Sequence, residues 1–305
     1  MIVTVTLNPA LDITYTVPRL EPGTTHRPAV FAQAGGKGVN VARTLHALGR
    51  EVVAVLPLGG ADGAVVGAEL ESAGIPRSVV SIGGATRRTV TVVESAPDGV
   101  ATAFNEAGPE LSAHEWSEIV KAVEALAAGA SVLVLSGKLP GGVPEDAYAC
   151  LIHAARACGV PTILDTEGPA LLAGLAAGPA LVKPNAHELA AVTGLDDPVQ
   201  AAEVLLAGGA EAVAASFGPE GLWAFTAEGA WSARPPLVEG GNPTGAGDAA
   251  VAALALGLAD RSPWPDRLRE AAALSAATVL TDRAGAFDPI ARRRFLEEVV
   301  VESLA

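Results

Sequence analysis

Short apolar runs alternate with longer helical patterns over most of the sequence after Ser112, and this alternation constrains the fold more than any other feature. The runs SVLVLSG, PTILD, ALVKPN and EAVAASFG are short enough for strands and apolar through their centres. Strands that alternate with helices pair in parallel, and the helices cover both faces of the sheet. We therefore predict an α/β fold with a mostly parallel central sheet and helices on both faces.

Two segments, near residues 12–33 and 86–105, do not follow this rhythm. They alternate polar and apolar residues, which is typical of strands with one exposed face. In the second segment, TRRTVTVVES and VATAF flank Pro97-Asp98-Gly99, which predicts a β-hairpin. We expect a small second sheet that projects from the central one. No long linker, charge block or repeat divides the chain, so a single domain over residues 1–305 is predicted.

The chain carries 20 basic and 34 acidic residues, a formal net charge of −14. This charge repels nucleic acids and anionic membrane surfaces, so we expect neither as a partner. A small phosphate can still bind where cations are concentrated. Three of the four lysines, Lys37, Lys138 and Lys183, lie in glycine- or proline-rich segments that are expected to be loops at the ends of strands. We interpret this placement as functional; the alternative is that it arises by chance.

The two cysteines, Cys150 and Cys158, have neither a metal-binding nor a redox spacing. We interpret them as buried, reduced thiols, which fits a cytoplasmic protein. The N-terminal MIVTVTLNPALD lacks the basic start of a signal peptide. No apolar run approaches the roughly 20 residues that a membrane-spanning helix requires. A cytoplasmic location is therefore predicted.

The segment NPTGAGD at residues 242–248 precedes an apolar helical pattern. Its small residues allow a tight turn, so successive N–H groups and the helix start favour an anion site. Asp248 falls in the first turn, where a carboxylate beside a phosphate suits removal of a proton from an attacking hydroxyl. The alternative is that Asp248 is only the N-cap of a buried helix. The sequence contains no GxxxxGK[ST] loop.

Two further segments follow predicted strands, and ligands of open α/β sheets bind at strand carboxyl ends. In AGGKGVNVA, residues 34–42, the glycines allow close backbone approach and Asn40 suits a hydroxyl; a simple glycine turn with Asn40 as cap is the alternative. In KPNAHE, residues 183–188, Asn185 and Glu188 share a helix face and suit a hydrated Mg²⁺. An ordinary capping box is nearly as plausible.

These three segments occur in the same order and spacing in the PfkB (ribokinase-like) carbohydrate kinases, which the chain resembles from Thr6 to about Ala286. TLNPALD and SGKLPGGVP resemble the branch that holds 1-phosphofructokinase and tagatose-6-phosphate kinase. The resemblance implies a ribokinase-like fold in which the second sheet is a lid over the sugar, from about 12–33 and 86–105. Such lids often form a dimer contact, so a homodimer through the lid is expected.

The resemblance also implies site residues. Asp248 resembles the catalytic base, and the anion hole for the transferred phosphoryl group is expected at Gly245, Ala246 and Gly247. Arg87 resembles an arginine that grips the phosphate already on the sugar. Other acceptor contacts are expected from Asp12, Gly36, Lys37, Asn40 and Lys138. ATP contacts are expected from Lys183, Asn185, Ser216, Gly218, Gly221 and Thr244, and Mg²⁺ is expected at Asn185 and Glu188 through water.

The activity implied is transfer of a phosphoryl group from ATP to fructose 1-phosphate. Tagatose 6-phosphate or fructose 6-phosphate is the alternative acceptor, and a non-catalytic sugar-phosphate sensor is an alternative of another class. A dinucleotide-dependent oxidoreductase is disfavoured because no GxGxxG follows the first strand.

Three positions depart from the branch pattern. Lys138 and Glu167 replace serines, and Thr89 replaces an asparagine. Because Lys138 and Glu167 carry opposite charges at adjacent strand ends, we expect them to pair. Lys138 is further expected to lean toward the sugar phosphate, with a purely structural pair as the equal alternative.

Overall fold

The computed structural model describes residues 1–96, 99–238 and 240–304. Its strands are β1 (Ile2–Val5), β2 (Ala10–Val17), β3 (Ala29–Gly35), β4 (Val52–Leu58), β5 (Arg77–Ser81), β6 (Arg87–Glu94), β7 (Ala101–Asn105), β8 (Val132–Ser136), β9 (Thr162–Asp165), β10 (Leu181–Val182), β11 (Ala212–Ser216), β12 (Leu222–Thr226), β13 (Gly229–Arg234) and β14 (Val300–Leu304). Its helices are α1 (Lys37–Ala47), α2 (Gly60–Ser72), α3 (Ala113–Ala127), α4 (Ala147–Ala157), α5 (Pro169–Leu175), α6 (Ala186–Thr193), α7 (Pro198–Ala207), α8 (Ala246–Ala259), α9 (Trp264–Val279) and α10 (Pro289–Glu298).

One sheet contains ten strands in the order β14-β13-β12-β11-β10-β9-β8-β1-β4-β5. The strands from β11 to β5 in this order pair in parallel, whereas β12, β13 and β14 add antiparallel at one edge. The central strands are buried on both faces, as their apolar runs predicted, and β8 is buried at every position. The predicted mostly parallel α/β fold is confirmed.

Two helical layers enclose this sheet. The side chains of α1, α2, α8, α9 and α10 share one core with the first face, and those of α3 to α7 share a second core with the other face. The first core is rich in alanine, so α8 and α9 lie close together with almost every side chain between them buried. Ser112 and Glu115 form a capping box at the start of α3.

A separate sheet contains the other four strands in the order β3-β2-β6-β7, and we call it the lid sheet. β6 and β7 form the predicted hairpin, although Pro97 and Asp98 of its predicted turn lie outside the described residues. Asp12 is the register partner of Gln33 on β3 and of Thr89 on β6. Because register partners point to the same side, one face of the lid sheet carries these three polar side chains together.

The carboxyl ends of β1, β8 and β9 meet at one edge of the large sheet. The chain leaves β1 for β4 on one side and later enters β8 on the other, so a crevice opens between β1 and β8. Ser136 at the end of β8 is the register partner of Asp165 at the end of β9, and both side chains are buried. The fold thus places polar groups in this crevice.

Some sequence expectations differ from the structure. Cys150 and Cys158 are free thiols, but both are exposed, so the prediction that they are buried is wrong. Cys150 lies on the solvent side of α4 and Cys158 is its C-cap residue. The alanine-rich pattern did not distinguish the exposed side of this helix from its buried side. In the described residues no helix is both long and apolar enough to cross a membrane.

Candidate active site

The turn at residues 245–248, which we call the GAGD turn, begins α8. Gly245 is the N-cap residue of α8, with φ of 86°, and no side chain caps the start of this helix. The alternative that Asp248 is the cap is therefore wrong. Asp248 lies instead within the first helical turn and is only 8% exposed. The N–H groups of Gly245 and Gly247 have no hydrogen-bond acceptor among the described residues, whereas Ala246 N–H donates to Pro243 O over 3.2 Å. The first two are thus left for a ligand beside a buried carboxylate.

The buried Asp248 carboxylate has one direct hydrogen-bond partner in the described residues, the side chain of Asn40. Asn40 Nδ2 donates to Asp248 Oδ2 over 2.8 Å. Burial, and then the nearby charge of Asp165, raise the pKa of Asp248 to about 7, although Asn40, Lys37 and Lys183 all oppose the rise. A carboxylate with this pKa can accept a proton near neutral pH.

Glycines at the start of α1 allow the lid sheet to approach it closely. Gly36 is the N-cap of α1 with φ of 113°, so the alternative that Asn40 is a cap is wrong. A Cβ at Gly35 would lie 1.9 Å from Asp12 Oδ2, so only glycine leaves room for that carboxylate. Asn40 lies one turn inside α1 and reaches across to Asp248.

Asp165 joins two lysines at the centre of the crevice, the buried Lys183 and the half-buried Lys37. Its Oδ1 lies 3.3 Å from Lys37 Nζ and 3.8 Å from Lys183 Nζ. Its Oδ2 is buried and has no hydrogen-bond partner among the described atoms. Burial opposes the charge of Lys37, but Asp165, Glu188 and Asp248 outweigh burial and raise the pKa of Lys37 above its ordinary value. The cluster therefore keeps Lys37 cationic beside Asp248.

Asn185 and Glu188 form a capping box at the start of α6. Asn185 Oδ1 accepts from the Glu188 N–H, and Glu188 Oε2 accepts from the Asn185 N–H, each over 2.8 Å. Glu188 Oε1 points to Lys37 Nζ at 3.6 Å. The capping-box interpretation is confirmed, and its Glu188 is also joined to the crevice cluster. No group of three or more His, Cys, Asp or Glu in the described parts of the chain is arranged to hold a metal.

Arg87 lies on the lid sheet, away from the cluster around Asp165. Its guanidinium donates to the carbonyl oxygens of Asn8 at 3.2 Å and Glu106 at 3.3 Å. Burial raises the pKa of nearby Asp12 to about 6, against a hydrogen bond from Thr89 and the charge of Arg87. The lid sheet thus places the Arg87 cation near the Asp12 carboxyl group, whose pKa of about 6 is well above its ordinary value.

The ion pair predicted between Lys138 and Glu167 is confirmed, with Nζ 2.6 Å from Oε1. The backbone beside Lys138 is held firmly, because Gly137 O accepts hydrogen bonds from Tyr148 OH at 2.8 Å and from Thr166 Oγ1 at 2.9 Å. The Lys138 side chain itself is 74% exposed. It is therefore a surface cation on a rigid loop at the edge of the crevice.

A largely apolar cavity of about 300 Å³ adjoins the start of α8. Gly218, Gly221 and Ala246 line it, as expected of the segment SFGPEG and the GAGD turn. Ser216 and Thr244 are not among its lining residues; Ser216 instead pairs with Asn185 at the carboxyl end of β11. Most of the lining was not predicted from the sequence; it consists of Pro219, Leu222, Pro235, Pro236, Leu237, Val238, Gly240, Pro243, Ala272, Ser275, Ala276 and Val279. The apolar run PPLV after β13 was the available signal.

Comparison with known proteins agrees with this geometry. The pattern of the pfkB family carbohydrate kinases matches residues 5–291. The chain is 40% identical over 268 residues to 1-phosphofructokinase of Xanthomonas campestris pv. campestris, covering 85% of this chain and 84% of that protein. It is 36% identical over 305 residues to ATP-dependent 6-phosphofructokinase isozyme 2 of Mycobacterium tuberculosis, covering 97% and 89%.

The fold agrees as well. Phosphofructokinase-2 from Escherichia coli superposes with a TM-score of 0.91 at 32% identity, over 97% of this chain and 98% of that chain. The family resemblance and the ribokinase-like fold inferred from the sequence are confirmed. The chain belongs to the pfkB family of carbohydrate kinases and is a sugar kinase of the phosphofructokinase type.

Proposed function

We propose that this kinase transfers the terminal phosphoryl group of ATP to the free primary hydroxyl of fructose 1-phosphate, giving fructose 1,6-bisphosphate. The observation that carries the proposal is the surroundings of Asp248. A buried carboxyl group with a pKa of about 7 stands at the N-terminus of α8, near Lys37 and Lys183. This arrangement suits a base that takes a proton beside an anionic group.

In this proposal Asp248 accepts the proton of the attacking hydroxyl. The N–H groups at Gly245 and Gly247 stabilise the negative charge on the transferred group. Ala246 N–H joins them by giving up its 3.2 Å hydrogen bond to Pro243 O. Lys183 assists, since its Nζ lies 3.7 Å from where a Cβ of Gly247 would stand. Phosphoryl transfer depends mainly on such positioning and charge stabilisation. The 4% exposure of Lys183 leaves little water to weaken its charge.

The apolar cavity beside Ala246 suits the base of the nucleotide, with Gly218 and Gly221 at its wall. Ser216, Thr244, Lys183 and Asn185 remain proposed contacts for the rest of ATP. Mg²⁺ would neutralise charge on the phosphates when bound. Glu188 and Asn185 fit it through water, because their side-chain oxygens already serve the capping box and Lys37, and Mg²⁺ commonly keeps several waters.

The acceptor site is proposed between the lid sheet and α1. Asp12 and Asn40 supply oxygens to sugar hydroxyls, and Asn40 Oδ1 is buried with no hydrogen-bond partner among the described residues. Gly36 and Lys37 lie at the same helix start, and Arg87 grips the sugar phosphate. Fructose 1-phosphate is preferred because the relative named 1-phosphofructokinase is 40% identical, against 36% for the one named 6-phosphofructokinase.

The test is an ADP-release assay with Mg-ATP and five acceptors: fructose 1-phosphate, fructose 6-phosphate, tagatose 6-phosphate, fructose and ribose. We expect kcat/KM to be highest with fructose 1-phosphate. Preference for another phosphosugar would support the proposed kinase activity and would show that the proposed acceptor is wrong. Binding of a phosphosugar without ADP release would instead support a non-catalytic sensor.

The pH dependence of kcat/KM tests the proposed base. We expect kcat/KM to rise through about pH 7, because the pKa of Asp248 is about 7 and the base must be ionised. Asp165→Asn removes a charge that raises this pKa, so the rise should move down by on the order of one pH unit. Asn40→Ala removes the opposing hydrogen bond, so the rise should move up. Unchanged midpoints in both variants would assign the rise to another group.

Lys138 is proposed to contact the acceptor phosphate once it leaves Glu167. A hydrogen bond between charged groups contributes about 1.5–3 kcal/mol, so Lys138→Ser should raise KM for the phosphosugar by roughly tenfold or more. KM for ATP should not change. Lys121→Ser is the matched control, because Lys121 is an exposed lysine paired with Glu118 at 2.8 Å on α3. If KM for the phosphosugar does not change, the Lys138–Glu167 ion pair has only a structural role.

A homodimer formed through the lid sheet also remains a proposal. Its outer strands β3 and β7 expose Val30 and Phe104, each about 60% accessible. One structure of the Escherichia coli relative is described as a tetrameric inhibited form. Light scattering of the purified chain, with Phe104→Ser as the comparison, tests whether the lid sheet is the contact.

A further inference from the structure

Residues 281–286, the loop between α9 and α10, contact both the lid sheet and the GAGD turn. We infer that this 281–286 loop couples the two sites. The position of the lid sheet seen in this structure then favours the position of the GAGD turn seen here. In the same way, a nucleotide bound at the GAGD turn favours this position of the lid sheet. Arg283 and Gln33 are the positioning residues. The inference rests on the proposed function, which assigns the acceptor to the lid sheet and the phosphates to the turn.

On one side, the 281–286 loop touches strand β3 twice. The guanidinium carbon of Arg283 lies 4.3 Å from the centre of the Phe31 ring, which is a cation–π contact. Gln33 is buried, and its Nε2 lies 3.5 Å from the carbonyl oxygen of Ala284, which is a long hydrogen bond. Phe31 and Gln33 are two residues apart on a strand, so they share one face of the lid sheet.

On the other side, the 281–286 loop packs against the GAGD turn without spare room. A Cβ at Gly245 would lie 2.9 Å from Ala284 Cα and 3.3 Å from Gly285 N. Thr44 of α1 donates its hydroxyl to Gly285 O over 3.3 Å, which ties the loop to the core. Ala284 therefore cannot move toward α8 unless Gly245 moves as well.

The two sets of contacts meet at Ala284. Its carbonyl oxygen faces Gln33, and its Cα faces Gly245. Gln33 is also the register partner of Asp12, the proposed contact for the sugar hydroxyls. The connection from the lid sheet to the anion site through the 281–286 loop thus needs only Gln33 and Ala284, and it is separate from the direct hydrogen bond between Asn40 of α1 and Asp248. Because coupling between two sites is reciprocal, a nucleotide that fixes the GAGD turn must also restrain β3.

Hydrogen exchange in Ala29–Gly35 tests this coupling without any acceptor, with Mg²⁺ and a non-hydrolysable ATP analogue as the probe. We expect the analogue to slow exchange of these amides by about two- to fivefold in the wild type, the factor equivalent to one exposed cation–π contact. Arg283→Ala should remove most of the slowing and leave only what the long Gln33–Ala284 hydrogen bond transmits. Arg283→Lys, which keeps a cation over the ring, should retain part of it. Phe31→Leu removes the ring instead and should act like Arg283→Ala.

Arg294→Ala is the matched control, because Arg294 makes the same kind of contact with Phe295, at 4.8 Å, on α10. It should leave the slowing intact. The inference would be overturned if the analogue does not slow exchange in β3 of the wild type. It would also be overturned if the analogue slows exchange in Arg283→Ala as much as in the wild type. Failure of the proposed function gives a different result: the wild type does not phosphorylate fructose 1-phosphate, while β3 still responds to the analogue.

Discussion

Asp248→Asn is expected to lower kcat by about 10²–10⁴-fold, the range that general-base catalysis contributes. The amide has the size of the carboxylate and still accepts the hydrogen bond that Asn40 donates over 2.8 Å. The surrounding contacts should therefore persist, and KM for ATP should change little. Steady-state ADP release, measured with ATP varied at saturating acceptor, gives both constants. A variant with near-normal kcat would remove Asp248 as the base.

The same substitution is expected to stabilise the fold, by an amount that grows from about pH 4 to pH 7 and is constant above pH 7. The pKa of Asp248 is raised from 3.8 to about 7, by burial first and by Asp165 second. Between about pH 4 and pH 7 the folded chain holds a proton that the unfolded chain has lost, so this group makes stability fall as the pH rises. One pKa unit corresponds to about 1.4 kcal/mol, so the ionised carboxylate costs roughly a few kcal/mol at pH 8. Asparagine avoids that cost.

Unfolding of both proteins at pH 4, 6 and 8 measures this difference. The variant should match the wild type at pH 4 and exceed it increasingly toward pH 8. Asp146→Asn is the control, since Asp146 is exposed and makes no side-chain cap bond at the start of α4. Loss of activity together with loss of stability at pH 8 would mean that the variant is misfolded. Loss of activity with a gain of stability is the result that a functional carboxylate predicts.

The parts of the fold that the sequence predicted are those whose burial leaves a pattern. Strands β8, β9 and β11 are buried on both faces, so each appears as an apolar run. Strands β5 and β14 were not predicted. They are the two edges of the large sheet, and their mixed burial produces neither an apolar run nor a strict alternation. Partners across space, not local preference, make those segments strands.

The site divides in the same way. The GAGD turn and the start of α1 were predicted because glycine and a charged residue are locally conspicuous. The joining of Lys37 to Lys183 through Asp165 was not predicted, since it depends on how α1 lies over the ends of β9 and β10. The apolar cavity was missed for a related reason. Its lining comes from separate segments, such as Pro235 and Ala272, whose apolar side chains do not differ in type from those of the core.

Gly245→Ala is expected to lower kcat by about 10²-fold or more while the chain still folds. Gly245 has φ of 86°, and an added Cβ would lie 2.9 Å from Ala284 Cα. That neighbour is backbone and cannot rotate away as a side chain does. The variant must therefore shift either the 281–286 loop or the first turn of α8. Either shift moves the N–H groups of the GAGD turn, and one misplaced donor of this kind costs about 10²–10³ in rate.

Gly159→Ala separates this effect from the general cost of alanine in a left-handed conformation. Gly159 has φ of 71°, and a Cβ added there would have nothing within 4 Å. The alanine variant therefore has the conformational cost of about 1–2 kcal/mol but no steric clash. It should melt earlier than the wild type and keep its kcat. Gly245→Ala should lose kcat by far more than its melting temperature explains. Equal kcat in both variants would show that phosphoryl transfer tolerates movement of the GAGD turn, and would place the stabilising charges on Lys37 and Lys183 instead.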